Sequence, residues 1–194
     1  MPGAPPLVVV VAGPNGAGKS TSAPRLLRGA LAVTEFVNAD PIARGLSYFR
    51  PDAMGVAAGR MMLARLKHLA HTRQDFAFET TLASRSFAPW LGVLRASGYR
   101  THLMFLSLAN PDLAVARVAE RVRQGGHDVP ALVVRRRFRT GLVNFFTLYR
   151  PVADTWQMFD NSELSGPRLI ASGSGTSSIR VLDDRVWIML QKVT

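Results

Sequence analysis

The chain has 194 residues, of which 47% are apolar and 19% are charged. This is the composition of a folded domain with a core, and it excludes an intrinsically disordered chain. The formal net charge of +11 is carried by 21 arginines and three lysines, which excludes an acidic solvating module and favours a polyanionic partner. Because the chain contains no cysteine, disulfide scaffolds, thiolate zinc sites and thiol catalysis are excluded as well.

Strand-like and helix-like segments alternate along the chain. The apolar runs predict strands over 7–12, 35–38, 76–80, 101–108 and 155–159, and the segments between them predict helices over 20–31, 51–71, 84–97, 110–124 and 131–149. Beyond residue 165, two short apolar segments around the Gly/Ser-rich stretch 172–178 predict a hairpin, and 186–190 predicts a final strand or helix. This order predicts one α/β domain over residues 1–194, with a central parallel sheet flanked by helices.

The first predicted strand gives no sign of a membrane or a secretion signal. Its apolar run, Leu7 to Ala12, is far too short to cross a bilayer, and no charged segment precedes it. We therefore expect a cytoplasmic protein with no membrane partner.

A phosphate-binding loop follows that strand. Gly13 to Ser20 matches the pattern GxxxxGK[ST] between a predicted strand and a predicted helix. The glycines let successive N–H groups turn toward anionic oxygens, and the helix N-terminus adds its dipole. Lys19 is predicted to reach the β- and γ-phosphates of ATP, and Ser20 to ligate Mg²⁺. The predicted nucleotide-binding residues are Gly13, Asn15, Gly16, Ala17, Gly18, Lys19, Ser20, Thr21 and Arg117.

Two other classes of P-loop protein fit the sequence poorly. A transporter ATPase cassette needs the segment Leu-Ser-Gly-Gly-Gln, whereas Leu164-Ser165-Gly166 is followed here by Pro167. A switch GTPase needs Asn-Lys-x-Asp for base recognition, and the chain has no such sequence.

Carboxylates follow two of the predicted strands. Ligands of parallel α/β sheets bind beyond the carboxyl ends of the strands, so Asp40 and Glu79 are expected on the same rim as the phosphate loop. Asp40 is predicted to accept the proton of an acceptor hydroxyl, and Glu79 to hold acceptor hydroxyls or a water on magnesium. The structural alternatives are a helix cap or turn at Asp40 and a buried arginine partner for Glu79.

Eight arginines lie between residues 117 and 150, opposed only by Glu120 and Asp128. Arg117 and Arg121 are one helical turn apart, and a Gly125-Gly126 hinge separates them from Arg135 to Arg137. This pattern predicts a lid over about 117–139 that closes over ATP, with Arg121 as its catalytic arginine. It leaves open which other lid arginines contact phosphate, the candidates being Arg123, Arg135, Arg136 and Arg137.

Together, the segments 13–21, 36–40, 76–81 and 117–130 resemble the zeta toxin family of P-loop small-molecule kinases. The resemblance implies a nucleotide-kinase-like fold that phosphorylates UDP-activated amino sugars, chiefly UDP-N-acetylglucosamine, and an antitoxin protein as partner. Carried over by position, Lys19, Asp40 and Arg121 are catalytic, and Glu79 and Thr81 contact the sugar.

Two positions depart from that pattern. The family's second lid arginine is expected just before Pro130, where this chain has His127-Asp128-Val129, so Arg135 to Arg137 are the candidates to replace it. The basic sugar-side residue expected two positions after Thr81 is Ala83, and Arg85 lies nearby. The predicted acceptor-binding residues are therefore Asp40, Glu79, Thr81 and Arg85.

The expected function is a kinase that uses ATP and Mg²⁺ to phosphorylate a hydroxyl of a small, nucleotide-sugar-like acceptor. A nucleic-acid-binding ATPase or polynucleotide kinase would instead use the +11 charge on phosphate backbones. Aromatic residues make up only 8% of the chain and do not alternate with arginines as base stacking would need, so nucleic acid is not the expected partner. A nucleotide-gated interaction protein would hydrolyse ATP slowly and need no acceptor.

Overall fold

The structure is a computed structural model that describes residues 4–29, 31–47, 50–126 and 128–193. Within these ranges the strands are β1 (Leu7–Ala12), β2 (Glu35–Val37), β3 (Phe76–Thr80), β4 (Arg100–Ser107), β5 (Thr155–Asp160), β6 (Arg168–Ser174) and β7 (Ser178–Val181). The α-helices are α1 (Lys19–Arg28), α2 (Ala39–Leu46), α3 (Gly55–His71), α4 (Phe87–Ala96), α5 (Pro111–Arg123), α6 (Ala131–Asn144) and α7 (Asp184–Gln191).

The strands form one sheet in the order β2-β3-β1-β4-β5-β6-β7. The first five strands in that order are parallel, and β6 and β7 add an antiparallel hairpin at one edge. The predicted α/β fold with a central parallel sheet is therefore confirmed, and the hairpin extends that sheet.

The central strand β1 is buried on both faces, since Val8 to Val11 are each at most 1% exposed. Val9 and Val11 face one core, which α1 and α5 complete, and Val8 and Val10 face a second core beneath α3 and α4. Continuous β-branched residues suit such a strand because both of its faces pack against apolar side chains.

Helix α6 crosses from one face of the sheet to the other. Its residues Val134 and Phe138 belong to the core beside α5, whereas Leu142 packs in the opposite core. A π-helical segment, Phe145–Tyr149, continues α6 within that second core. The helix therefore passes over the carboxyl ends of the strands, where ligands of parallel sheets bind.

Among the described α-helices, α2 is the one that the sequence did not predict. Asn38 caps it, because the Asn38 side chain accepts a hydrogen bond from the Asp40 amide at 2.9 Å. Pro41 lies in the first turn, where its missing N–H leaves no hydrogen bond unmade. The Asp40-Pro41 pair thus belongs to a helix start rather than to an isolated turn.

The other helices differ from prediction mainly at their ends. The predicted helix 51–71 begins as a 3₁₀ turn, Pro51–Met54, before α3, and the last predicted element is helical. No helix in the described part of the chain is long and apolar enough to cross a membrane.

Candidate active site

The phosphate loop joins β1 to α1 through glycines in the left-handed region. Gly18, at φ 74°, immediately precedes α1, and Gly13 has φ 140°. A Cβ on Gly13 would collide with the carbonyl oxygen of Leu106, so the loop needs glycine there for both conformation and space. The buried Asn161 side chain donates a hydrogen bond to the Ala17 carbonyl at 2.8 Å and ties the loop to the end of β5.

Lys19 lies inside this loop and is 6% exposed. Its Nζ donates a hydrogen bond to the Pro14 carbonyl at 2.9 Å and lies 3.6 Å from Glu79 Oε1. Burial lowers the pKa of the Lys19 ammonium, while the Glu79 and Asp40 carboxylates oppose that shift. A desolvated ammonium held against the loop is suited to pairing with phosphate oxygens.

Glu79, the penultimate residue of β3, connects three polar groups at this edge of the sheet. Its Oε2 accepts hydrogen bonds from Ser20 Oγ at 2.7 Å and from Asn38 Nδ2 at 2.8 Å. The same Asn38 amide donates to Ser20 Oγ at 3.3 Å. Hydroxyl and carboxylate oxygens are ligand types that Mg²⁺ accepts, so Ser20 and Glu79 form a pair that fits a magnesium ion bound with ATP.

A cleft of about 400 Å³ opens beside the phosphate loop, and half-buried Asp40 lies on its wall. Its lining comes from the loop, the ends of β2 and β3, and helices α2, α3 and α6, and comprises Asn15, Lys19, Asn38, Ala39, Asp40, Ala43, Arg44, Gly55, Ala58, Glu79, Thr80, Thr81 and Arg137. The predicted residues Lys19, Asp40, Glu79 and Thr81 therefore meet in one cleft of a size that suits a small molecule.

Arginines from the predicted lid approach the phosphate loop in three ways. Arg137, on α6, lines the cleft and donates a hydrogen bond to Asn15 Oδ1 at 3.4 Å. Arg121 is close enough to Lys19 for its positive charge to lower the pKa of the Lys19 ammonium. Gly126 packs against the Arg121 side chain, since a Cβ on Gly126 would lie only 2.5 Å from Arg121 Cγ. Arg117 donates to the carbonyl oxygens of Asn161 and Ser162, both at 2.6 Å, and so holds the loop after β5.

The remaining predicted arginines lie elsewhere. Arg123 pairs with Glu120 and Arg135 with Asp112, each at 2.5 Å, and Arg136 is exposed. Arg85 is exposed in the turn before α4 and does not line the cleft. His127, at the position of the missing lid arginine, lies outside the described residues.

Three polar residues at or beside the site, Asn38, Arg44 and Asn161, had no assigned role in the sequence analysis. Asn38 ends the predicted strand 35–38 and Asn161 lies just beyond the predicted strand 155–159, so their position at a strand end was the available signal. Arg44 lies outside every motif, and only the missed helix α2 brings it to the cleft. Of the predicted nucleotide-binding residues, Thr21 is exposed in the first turn of α1.

Comparison with known sequences identifies the family. Residues 8–145 match the AAA domain family AAA_33. The chain belongs to this family. The matched part of the AAA domain runs from β1 to the end of α6 and contains the phosphate loop, Asp40, Glu79 and Arg137. An uncharacterized protein of Haemophilus influenzae is 27% identical over 128 residues, which cover 65% of this chain and 88% of that protein.

Solved structures share the fold of this AAA domain. The complex AvrRxo1-ORF1:-ORF2 with ATP matches with a TM-score of 0.74 and 16% identity over 97% of this chain, which spans only 64% of the matched one. The PezAT chromosomal toxin–antitoxin system of Streptococcus pneumoniae matches with a TM-score of 0.61 and 12% identity, and the match covers 98% of this chain and 86% of that one. A gluconokinase from Sinorhizobium meliloti matches with a TM-score of 0.51 and 16% identity, and the match covers 82% of this chain and 84% of that one.

Proposed function

We propose that this protein is an ATP-dependent kinase that transfers the γ-phosphoryl group to a hydroxyl of a small acceptor. The observation that carries the proposal is that Lys19 of the phosphate loop and Asp40 line the same cleft of about 400 Å³. An enzyme that only hydrolyses ATP needs no room for a second substrate next to the γ-phosphate. A kinase needs such a space, with a carboxylate beside it, for the acceptor. The fold shared with a gluconokinase is consistent with this reading.

The reaction follows from the residues at the cleft. The acceptor oxygen forms a bond to the γ-phosphorus while the bond from that phosphorus to the β,γ-bridging oxygen breaks, and ADP leaves. Asp40 takes the acceptor's proton. Lys19, Arg121 and Arg137 neutralise the charge on the transferred group, and Arg117 fixes the nucleotide-side loop after β5. Ser20 and Glu79 would hold Mg²⁺, which neutralises the β- and γ-phosphate oxygens when it is bound.

The finer proposal concerns the acceptor and a partner. The resemblance to zeta toxins, together with the fold shared with PezAT, supports a UDP-activated amino sugar as the acceptor, with Thr81 on the sugar side. The Mg²⁺ role proposed for Glu79 replaces the sugar contact that the resemblance implies for it. The resemblance and the shared fold also support an antitoxin protein as a partner. We further propose that the chain works as a single cytoplasmic domain.

Substitution of Asp40 tests the proposal. Purified protein with ATP and Mg²⁺ is offered UDP-sugars, nucleotides and a metabolite extract, and mass spectrometry follows products heavier by one phosphoryl group. We expect Asp40→Asn to bind ATP normally but to slow transfer by at least about 10²-fold, because the proton acceptor is lost. Lys19→Ala is expected to lose both ATP binding and transfer.

Asp184→Asn is the matched control, since Asp184 also lies in the first turn of a helix but is exposed and away from the cleft. It should behave as the unchanged protein. Full turnover by Asp40→Asn would remove Asp40 from the mechanism. Release of ADP at the same rate with and without every acceptor would contradict the kinase proposal itself.

A further inference from the structure

We propose that Arg44 determines acceptor specificity by binding an anionic group of the acceptor. The substrate is then an alcohol that carries a phosphate or carboxylate about one helical turn away from the hydroxyl that is phosphorylated. This inference rests on the proposed kinase function and deepens it by naming the acceptor class. The observation that carries it is the juxtaposition of Asp40 and Arg44 on the face of α2 that lines the cleft.

The spacing on α2 sets the geometry of the acceptor. Asp40 and Arg44 are four residues apart, so both lie on one side of the helix with Cβ atoms about 5–6 Å from each other. Ala43 also lines the cleft on that face. An acceptor whose hydroxyl meets Asp40 therefore extends its neighbouring substituents toward Arg44.

Small residues leave this path open. Ala39 and Ala43 line the cleft from α2, and Gly55 and Ala58 line it from α3. Apart from the adjacent residues and the backbone of α3 itself, no heavy atom of the described residues lies within 4 Å of the point where a Cβ on Gly55 would be. Among the described residues, these four small residues line the cleft between the two helices, which leaves room for a substituent of the acceptor.

Arg44 has unused hydrogen-bonding capacity. It is exposed, and it forms no hydrogen bond or ion pair with any residue in the described ranges. By contrast, Arg137 donates to Asn15, and Arg117 donates to two carbonyl oxygens. A guanidinium has five donors in a planar fork that matches a phosphate or carboxylate, so Arg44 is equipped to bind such a group.

A purely structural explanation of Arg44 is weaker. A positive charge in the last turn of α2 interacts favourably with the helix dipole, which accounts for arginine at this position. That interaction does not use the guanidinium donors, and it does not require the side chain to line a cleft that also contains Asp40 and Lys19. Arg85, the candidate drawn from family resemblance, is outside that cleft.

The test compares matched acceptors on matched variants. The probes are N-acetylglucosamine, its 1-phosphate and N-acetylmuramic acid, which are respectively neutral, phosphorylated and carboxylated. Their dissociation constants are measured by calorimetry on protein saturated with Mg²⁺ and a non-hydrolysable ATP analogue, so that the phosphate loop is already filled. The variants are Arg44→Gln, Arg44→Lys and Arg85→Gln, with Arg60→Gln as the control, because Arg60 is exposed on α3 and does not line the cleft.

We expect the wild-type protein to bind the two charged sugars at least about tenfold more tightly than the neutral one, because their anionic groups form charge-assisted hydrogen bonds. Arg44→Gln should remove this preference while leaving the affinity for the neutral sugar unchanged. Arg44→Lys should restore part of the preference, since it keeps the charge without the fork. Arg60→Gln should match the wild type. With ATP, Arg44→Gln should raise KM for the charged acceptor more than it lowers kcat.

Three results would overturn the inference. The first is that the wild type binds charged and neutral sugars with equal affinity, and the second is that Arg85→Gln loses the preference for charged sugars while Arg44→Gln keeps it. The third is that Arg44→Gln loses as much affinity for the neutral sugar as for the charged ones. If the preference for charged sugars depends on Arg44 but no phosphorylated product forms, the anion site is supported and the kinase proposal is rejected. If Arg44→Gln phosphorylates the charged acceptor as well as the wild type does, the kinase proposal is supported and the anion site is rejected.

Discussion

At the scale of single residues, Glu79 connects the polar groups of the site. Its carboxylate accepts hydrogen bonds from Ser20 and Asn38 and lies 3.6 Å from the Lys19 ammonium. These are the groups that ATP and its metal would engage. Glu79 therefore lies between the phosphate-binding ammonium of Lys19 and the hydroxyl of Ser20, where a metal bound with ATP would sit.

The Glu79→Gln substitution separates the metal from the phosphate contribution to ATP binding. We expect the dissociation constant of ATP to rise about tenfold with Mg²⁺ present, because loss of a carboxylate that supports a metal ion costs 10–100-fold in affinity. Without Mg²⁺ the affinity should stay equal or improve, since a negative charge near the phosphates is gone. Calorimetry with and without Mg²⁺ measures both values.

Glu120→Gln serves as the control for that substitution. Glu120 is half exposed and pairs with Arg123 on the surface of α5, so its loss should change neither value. An equal weakening of ATP binding with and without Mg²⁺ in Glu79→Gln would show that Glu79 acts by holding the loop and not through the metal.

At the scale of elements, the sequence predicted the buried strands well because β1 and most of β4 are continuous apolar runs. It missed α2 because Asp40-Pro41 is equally typical of a turn, and the capping hydrogen bond that decides the matter is a three-dimensional contact. The helix over 131–149 was predicted, but the division of its apolar residues between two cores was not. The spacing of residues along a helix does not show which face of the sheet each turn of that helix packs against. Arg137 could therefore not be singled out from Arg135 and Arg136 as the arginine that reaches the phosphate loop.

Gly141 allows α6 to pass in close contact with the loop after β3. A Cβ at this position would collide with the carbonyl oxygen of Thr81, and one turn nearer the N-terminus Arg137 reaches Asn15. Three residues after Gly141, the buried Asn144 amide donates to the Leu82 carbonyl at 2.7 Å. Helix α6 thus bridges the loop after β3 and the phosphate loop.

We expect Gly141→Ala to lower the free energy of unfolding by about 1–3 kcal/mol and to weaken ATP binding, because α6 must move away from Thr81 and carries Arg137 with it. Urea denaturation and calorimetry measure the two effects. Gly92→Ala in α4 is the control: its new Cβ would meet no described atom within 4 Å beyond its own helix, so it should be neutral or stabilising by up to about 1 kcal/mol. Similar results for the two variants would contradict the bridging role.

At the scale of the whole molecule, residues after the matched family region complete the second core. Trp156 on β5 stacks on Trp187 of α7 with ring centroids 5.7 Å apart and planes 6° from parallel. Phe145 and Phe146, at the end of the α6 crossing, contact Trp156 and Trp187 at 5.8 and 5.3 Å. The C-terminal hairpin and α7 therefore support the helix that carries Arg137, although they contribute no residue to the lining of the cleft.

Trp187→Ala tests this support. Trp187 is 6% exposed, and large-to-small changes at buried tryptophans cost about 3–5 kcal/mol, so urea denaturation should show a loss of that size with an unchanged m-value. Ile188→Ala is the control on the next residue of α7: Ile188 is 49% exposed, and its loss should cost no more than about 0.5 kcal/mol. An equal loss of unfolding free energy in the two variants would mean that the Trp187 side chain does not anchor α7 to the core. Under native conditions, the folded Trp187→Ala protein should still bind ATP, because the hydrogen bond from Asn161 to the Ala17 carbonyl, which holds the phosphate loop, does not involve Trp187.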